Sequence, residues 1–159
     1  MATDTGLLVG EDRSLDTKRV TFFCLNKTTG EVLWDRLSFD ERWWIGIEAV
    51  HRDRVYLHGF SKPDMPDHNG IIALDLFTGQ TMWQNSHLRF LFATDDSVFA
   101  SGNTVDDRLV HKLNYRTGEE IAVLPSDDEL FRSAPTRALV TVDEKQIFPD
   151  PVDELEAGN

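Results

Sequence analysis

A ten-residue motif returns three times along the chain: Leu25-Asn-Lys-Thr-Thr-Gly-Glu-Val-Leu-Trp34, Leu74-Asp-Leu-Phe-Thr-Gly-Gln-Thr-Met-Trp83 and Leu113-Asn-Tyr-Arg-Thr-Gly-Glu-Glu-Ile-Ala122. Few architectures accept such a repeat, because each copy must bury the same face against its neighbours. In every copy an Asn or Asp can accept bonds from the turn amides that follow it. Gly30, Gly79 and Gly118 supply the positive φ that closes a hairpin with a bulge. The flanking runs are β-branched or aromatic: Thr21–Leu25, Ile71–Leu74 and Leu109–Leu113 before the turns, Val32–Asp35, Thr81–Gln84 and Ile121–Leu124 after them. Long helical periodicity is absent, and 127–132 predicts at most a turn or two of helix.

A second pattern precedes each motif: Asp4-Thr-Gly-Leu-Leu-Val-Gly10, Asp53-Arg-Val-Tyr-Leu-His-Gly59 and Asp96-Ser-Val-Phe-Ala-Ser-Gly102. In both patterns the first two copies are offset by 49 residues, while the third unit has a shorter connection. The upstream pattern predicts a tighter hairpin, with Ile45–Val50 leading through 51–54 into Val55–His58, and Phe90–Ala93 through 94–97 into Val98. One unit is then four short antiparallel strands, the make-up of a propeller blade. The expected fold is all-β, with about three propeller-like four-stranded antiparallel blades in one repeat domain over residues 1–148. Its units are 4–42, 43–88 and 89–125, with a closing hairpin at 137–148 and an acidic tail at 149–159. The first unit begins at its second strand, and 137–142 reads as the strand it lacks. Three blades fall short of the roughly four of the smallest usual ring, so the array is expected to be partial or closed by dimerisation through blade edges.

The motif around Val55–Trp83 and its two partners resembles the repeats of quinoprotein-like (PQQ-repeat-type) β-propellers. The resemblance covers about residues 4–124. It implies that Trp34 and Trp83 belong to a docking girdle between blades, a place taken by Ala122 in the third unit. The stretches Phe22–Leu25, Trp43-Trp-Ile-Gly-Ile-Glu-Ala-Val-His51 and Gly70–Asp75 are also similar to a bacterial family of unknown function, which brings no activity with it. Quinone-dependent dehydrogenases with such repeats carry eight blades, calcium and paired adjacent cysteines. With Cys24 alone that pair is missing, and no cofactor is expected.

Charge narrows the partners. The chain has 28 acidic and 16 basic residues, a net charge of −12, which opposes a surface that tracks nucleic-acid phosphates. Six acids and one lysine fall in the last 17 residues, so part of that charge belongs to the tail. The N-terminus reads as neither a signal peptide nor a lipoprotein leader, and no apolar run approaches membrane-spanning length. A cytoplasmic location, no membrane or nucleic-acid partner, and a second copy or another protein at the blade edges are the expectations.

The candidate site residues are Trp44, Glu48, His51, His58, Asp64 and His68. On a strand, Trp44, Gly46, Glu48 and Val50 share one face, and Gly46 leaves room above the backbone for a ligand or another chain. His51, His58 and His68, with Glu48, Asp64 and Asp67, suit zinc or iron by donor type. No His-x-His or His-x-x-x-His pair occurs, and Glu48 and His51 have opposite strand parity, so a bulge would be needed to converge them. No metal site is assigned on sequence. Segment 61–70, rich in Asp and Pro, reads as a loop able to carry binding residues. Cys24 reads as a small buried hydrophobe. No nucleophile elbow or phosphate loop appears. The leading expectation is a non-catalytic binding or scaffold module. The alternatives are a small-ligand-binding protein or enzyme with a pocket near Trp44, Glu48, His51 and His58, and a metal-binding protein.

Overall fold

A computed structural model describes residues 1–3, 5–62, 65–102 and 109–126, with the side chains of 61–67 excepted. Strands β1 (Leu7–Ser14), β2 (Arg19–Asn26) and β3 (Val32–Leu37) form a three-stranded antiparallel sheet in chain order. Strands β4 (Ile45–His51), β5 (Arg54–Lys62), β6 (Met65–Asp75) and β7 (Thr81–Asn85) form a four-stranded meander. Strands β8 (Arg89–Ala93), β9 (Ser97–Ser101), β10 (Leu109–Asn114) and β11 (Glu120–Pro125) form another. One parallel bridge, Gly70 to Arg89, joins the two meanders. The described residues contain no helix, and they form an all-β array of blade-like sheets that does not close on itself.

The three Thr-Gly turns share one construction. The side-chain oxygen of Asn26 accepts the Thr28 and Thr29 amides at 2.9 and 3.1 Å. Asp75 accepts those of Phe77 and Thr78, and Asn114 those of Arg116 and Thr117. Gly30, Gly79 and Gly118 follow at φ between 72° and 75° and donate back to the Asn or Asp carbonyl.

Each tryptophan of the motif reaches the turn of the next blade. Trp34 Nε1 donates to the Leu76 carbonyl and Trp83 Nε1 to that of Tyr115, both at 2.8 Å. The indoles lie on the turn glycines. A Cβ at Gly79 would come within 2.9 Å of the Trp34 ring, and one at Gly118 within 2.6 Å of the Trp83 ring. Between blades the alternating strands bury their inward residues. Leu7, Val9, Phe22 and Cys24 of the first sheet pack with Ile45, Val55, Leu57 and Leu74 of the second. Ala49, Tyr56, Ile71 and Ala73 of the second pack with Phe90, Val98 and Leu113 of the third. Successive blades therefore stack face to face, and apolar burial is what holds the array together.

Three sequence expectations need correction. In the upstream pattern, Gly6 stands level with Asp53 and Asp96. The Gly6 carbonyl accepts the Lys27 amide as those of Asp53 and Asp96 accept the amides of Leu76 and Tyr115. The shared 49-residue offset thus holds for the turns but slips by two residues on β1. Segment 61–70 is also mostly strand: β5 continues to Lys62 and pairs there with Met65 at the start of β6. Finally, Val50 does not share the face of Gly46. Glu48 forms a bulge, with Ile47 opposite Leu57 and Ala49 opposite Tyr56, so Val50 packs on the same side as Ile45 and Ile47. The expected hairpin at 137–148, the acidic tail and Asp64 lie outside the described residues.

Candidate functional site

His58 lies in the middle of β5, the second strand of its blade, and a bulge flanks it on each side. On β4 the extra residue is Glu48. On β6, Gly70 and Ile71 occupy the space opposite His58, between the Leu57–Ile72 and Gly59–Asn69 pairs. Gly70 meets the need of this second bulge for a left-handed backbone, at φ 81°. The two irregularities lie on the strands that flank His58 and shift their registers against it.

Three of the predicted residues meet there. Glu48 Oε2 is 2.8 Å from His58 Nδ1 and 2.7 Å from His68 Nδ1. The two imidazoles stack with centroids 3.6 Å apart and planes 6° from parallel. Their remaining exposure is graded: the His58 side chain is 8% exposed, Glu48 20% and His68 38%. His68 Nδ1 makes a hydrogen bond to the carboxylate, whereas buried His58 Nδ1 lacks the alignment for one despite its short distance. Burial pushes the Glu48 carboxyl up, but the two imidazoles outweigh that and hold it below its ordinary range.

Phe60, two residues beyond His58 on the same strand face, stands edge-on to both imidazoles, with centroids 5.0 and 5.4 Å away. Among the described residues the Trp44 ring meets Phe60, at 6.0 Å, and so borders the cluster at one remove. The amides of Trp43 and Trp44 both donate to Glu41 and hold its carboxyl below the ordinary range. The room above Gly46 is filled: the Arg13 guanidinium and the His58 ring would each lie 3.3 Å from a Cβ there. Arg13 is held by Glu11 at 2.7 Å and by the Trp43 and Ile45 carbonyls.

His51 does not join the cluster. The bulge at Glu48 swings it to the cluster's face, but it sits at the far end of β4, 3.4 Å from the Asp95 carboxylate. Asp64 and the side chain of Asp67 lie outside what the structure describes. Phe60 and Arg13 are the neighbours that sequence reasoning missed. Strand period alone would have indicated Phe60, two positions from His58. Nothing local pointed to Arg13, which arrives from another blade. A hollow of about 450 Å³ opens between Ile45, Gly59, Asn69 and Gln84, and none of the three clustered residues lines it. Chemically, the cluster offers two imidazole nitrogens and a carboxylate, all within 4.8 Å of one another.

Among solved structures the chain is similar to BamB from Moraxella catarrhalis, with 20% identity and a TM-score of 0.52 over 78% of this chain and 35% of that one. It is also similar to a europium-containing methanol dehydrogenase, with 15% identity and a TM-score of 0.47 over 76% of this chain and 23% of that one. The chain thus spans about a third of the length of the first and less than a quarter of the second. The likeness to BamB is one of fold, a propeller-like arrangement of blades. No curated protein matches the chain in sequence. The model of a family described as a domain of unknown function, DUF4905, matches residues 1–83, more than half of the 159, and the chain belongs to that family.

Proposed function

We propose that this propeller module is a non-catalytic binding or scaffold unit, and that it covers the open face of its first blade with a second copy of itself. The observation that supports this is an inequality among three equivalent turns. The Gly79 and Gly118 turns each carry an indole, while none of the described residues lies within 4 Å of a Cβ built on Gly30. The Asn26–Gly30 turn has the same construction and offers the same surface. Beside it Val32 is 54% exposed at the start of an edge strand. Leu8, Phe23 and Leu25 on the outward face of that sheet are only half-buried. Edge strands with apolar residues and unpaired backbone groups readily pair with another chain. Two three-blade arrays together hold six blades, within the range of closed propellers.

The test is sedimentation velocity from low to high micromolar concentration. The protein should sediment as a dimer. Val32→Glu should shift it to monomer by placing a charge on the edge, and Met82→Glu, at a position 44% exposed on the middle blade, should leave it dimeric. A Val32→Glu protein that dimerises like the wild type contradicts this interface.

A further inference from the structure

We propose that Glu48, His58 and His68 form a binding site for a divalent first-row transition metal of the zinc class. Two imidazole nitrogens and one carboxylate are a donor set that zinc and its neighbours take, with a further position left for water or a ligand. The donors are close enough to share an ion once they part by about half an ångström, from hydrogen-bonding distance to the roughly 3.3 Å between two ligands of a tetrahedral zinc. Both Nδ1 atoms converge on a single carboxylate oxygen at 2.7 and 2.8 Å, and all three donors lie within 4.8 Å of one another.

A carboxylate flanked by two histidines can also be an ordinary polar cluster, but two observations separate this one from that account. The first is the His58 ring. It is more than nine-tenths buried, and its Nδ1 lies 2.8 Å from the shared oxygen without the alignment of a hydrogen bond, so the contact leaves it imperfectly satisfied. A buried imidazole nitrogen in that condition costs free energy unless something coordinates it. The second is the backbone. The bulges at Glu48 and at Gly70–Ile71 lie on the two strands flanking His58, and the second shifts the register by one residue so that His68 stands opposite Phe60, on the face of His58. His111 and Glu120 provide a comparison within the same chain. Their side chains are also 2.7 Å apart, but among the described residues they form a simple pair with no third donor.

The surroundings suit an ion that can enter and leave. His68 and Glu48 keep part of their surface in water, and His58 closes the inner side. Phe60 braces both rings at their edges. The Arg13 guanidinium borders His58 across Gly46 and opposes a cation there, but its charge is engaged by Glu11 at 2.7 Å. Site affinity should therefore be moderate compared with closed four-ligand zinc sites.

The experiment is equilibrium dialysis of untagged, chelator-treated full-length protein against zinc chloride, with cobalt(II) absorption as a second readout. The expected result is one zinc per chain at micromolar free zinc, together with cobalt d–d bands of a low-symmetry nitrogen and oxygen site. His68→Ala and Glu48→Gln should each weaken zinc binding at least about tenfold, and circular dichroism should show both still folded. His111→Ala should bind zinc as the wild type does. Absence of zinc uptake by the wild-type protein at micromolar free zinc overturns the proposal. So does equal uptake by the wild type and His68→Ala, which would place the ion elsewhere. Neither outcome bears on dimerisation, which rests on the first blade.

Discussion

Gly30 and Gly79 hold the same place in two copies of one turn, yet their surroundings differ, and that difference can be measured. Alanine at either position must adopt a left-handed backbone, which costs about 1–2 kcal/mol. At Gly79 the new methyl also meets the Trp34 ring, and overpacking of this kind costs about 1–3 kcal/mol more. Urea unfolding should therefore rank Gly79→Ala well below Gly30→Ala in stability, and equal losses would mean that the indole does not rest on the turn. Cys24 gives a second check at this scale. It is fully buried in the first core cluster, and burial pushes its thiol up. A thiol reagent at neutral pH should leave the native protein unlabelled and label one site after denaturation, since only the accessible thiolate reacts. Rapid labelling of the native protein would contradict the packing of the first two blades. These residues were readable in the sequence because they belong to local patterns: an Asx turn, a glycine, an apolar alternation. The pairing of Glu48 with His58 and His68 was not, since those donors sit on three strands whose contacts depend on bulges.

At the scale of the element, the tryptophan strands carry the link between blades. Trp34→Phe keeps most of the apolar contact but leaves the Leu76 carbonyl without its indole donor. Loss of one such bond should cost about 0.5–1.5 kcal/mol in chemical denaturation. Trp83→Ala removes a nearly buried side chain from the second core and should cost about 3–5 kcal/mol. Similar small losses for both variants would show that the blades are held by something other than this docking. The strands and the Thr-Gly turns follow directly from residue pattern, because a hairpin with a glycine at positive φ is specified within about ten residues. Bulges are specified less locally. One extra residue in β4 exchanges the faces of everything after it, and the alternation of Ile45, Ile47 and Val50 becomes regular only once Glu48 is set aside. The two-residue slip on β1 escaped notice for a related reason. Both Asp4 and Gly6 suit a turn, and only the paired backbone shows that Gly6 bonds to Lys27.

At the scale of the molecule, the described residues form three stacked blade-like sheets with an outer face on the first, and the repeat itself says what such a face accepts. The first turn lacks the indole that its two counterparts carry, and Ala122 shows that the third unit brings none of its own. A net charge of −12 adds long-range repulsion between copies, so association should strengthen as salt screens it. A dimer that weakened with added salt would point instead to charge pairing at the interface. Repeat number and blade order were legible because they follow from counting motifs. What covers the outer face was not, because a surface records its partner only through exposure and shape. The most direct measurement is the absolute mass in solution by light scattering at micromolar concentration in moderate salt. The account predicts twice the 18.1 kDa of the chain. A mass of one chain that persists to high micromolar concentration would contradict it.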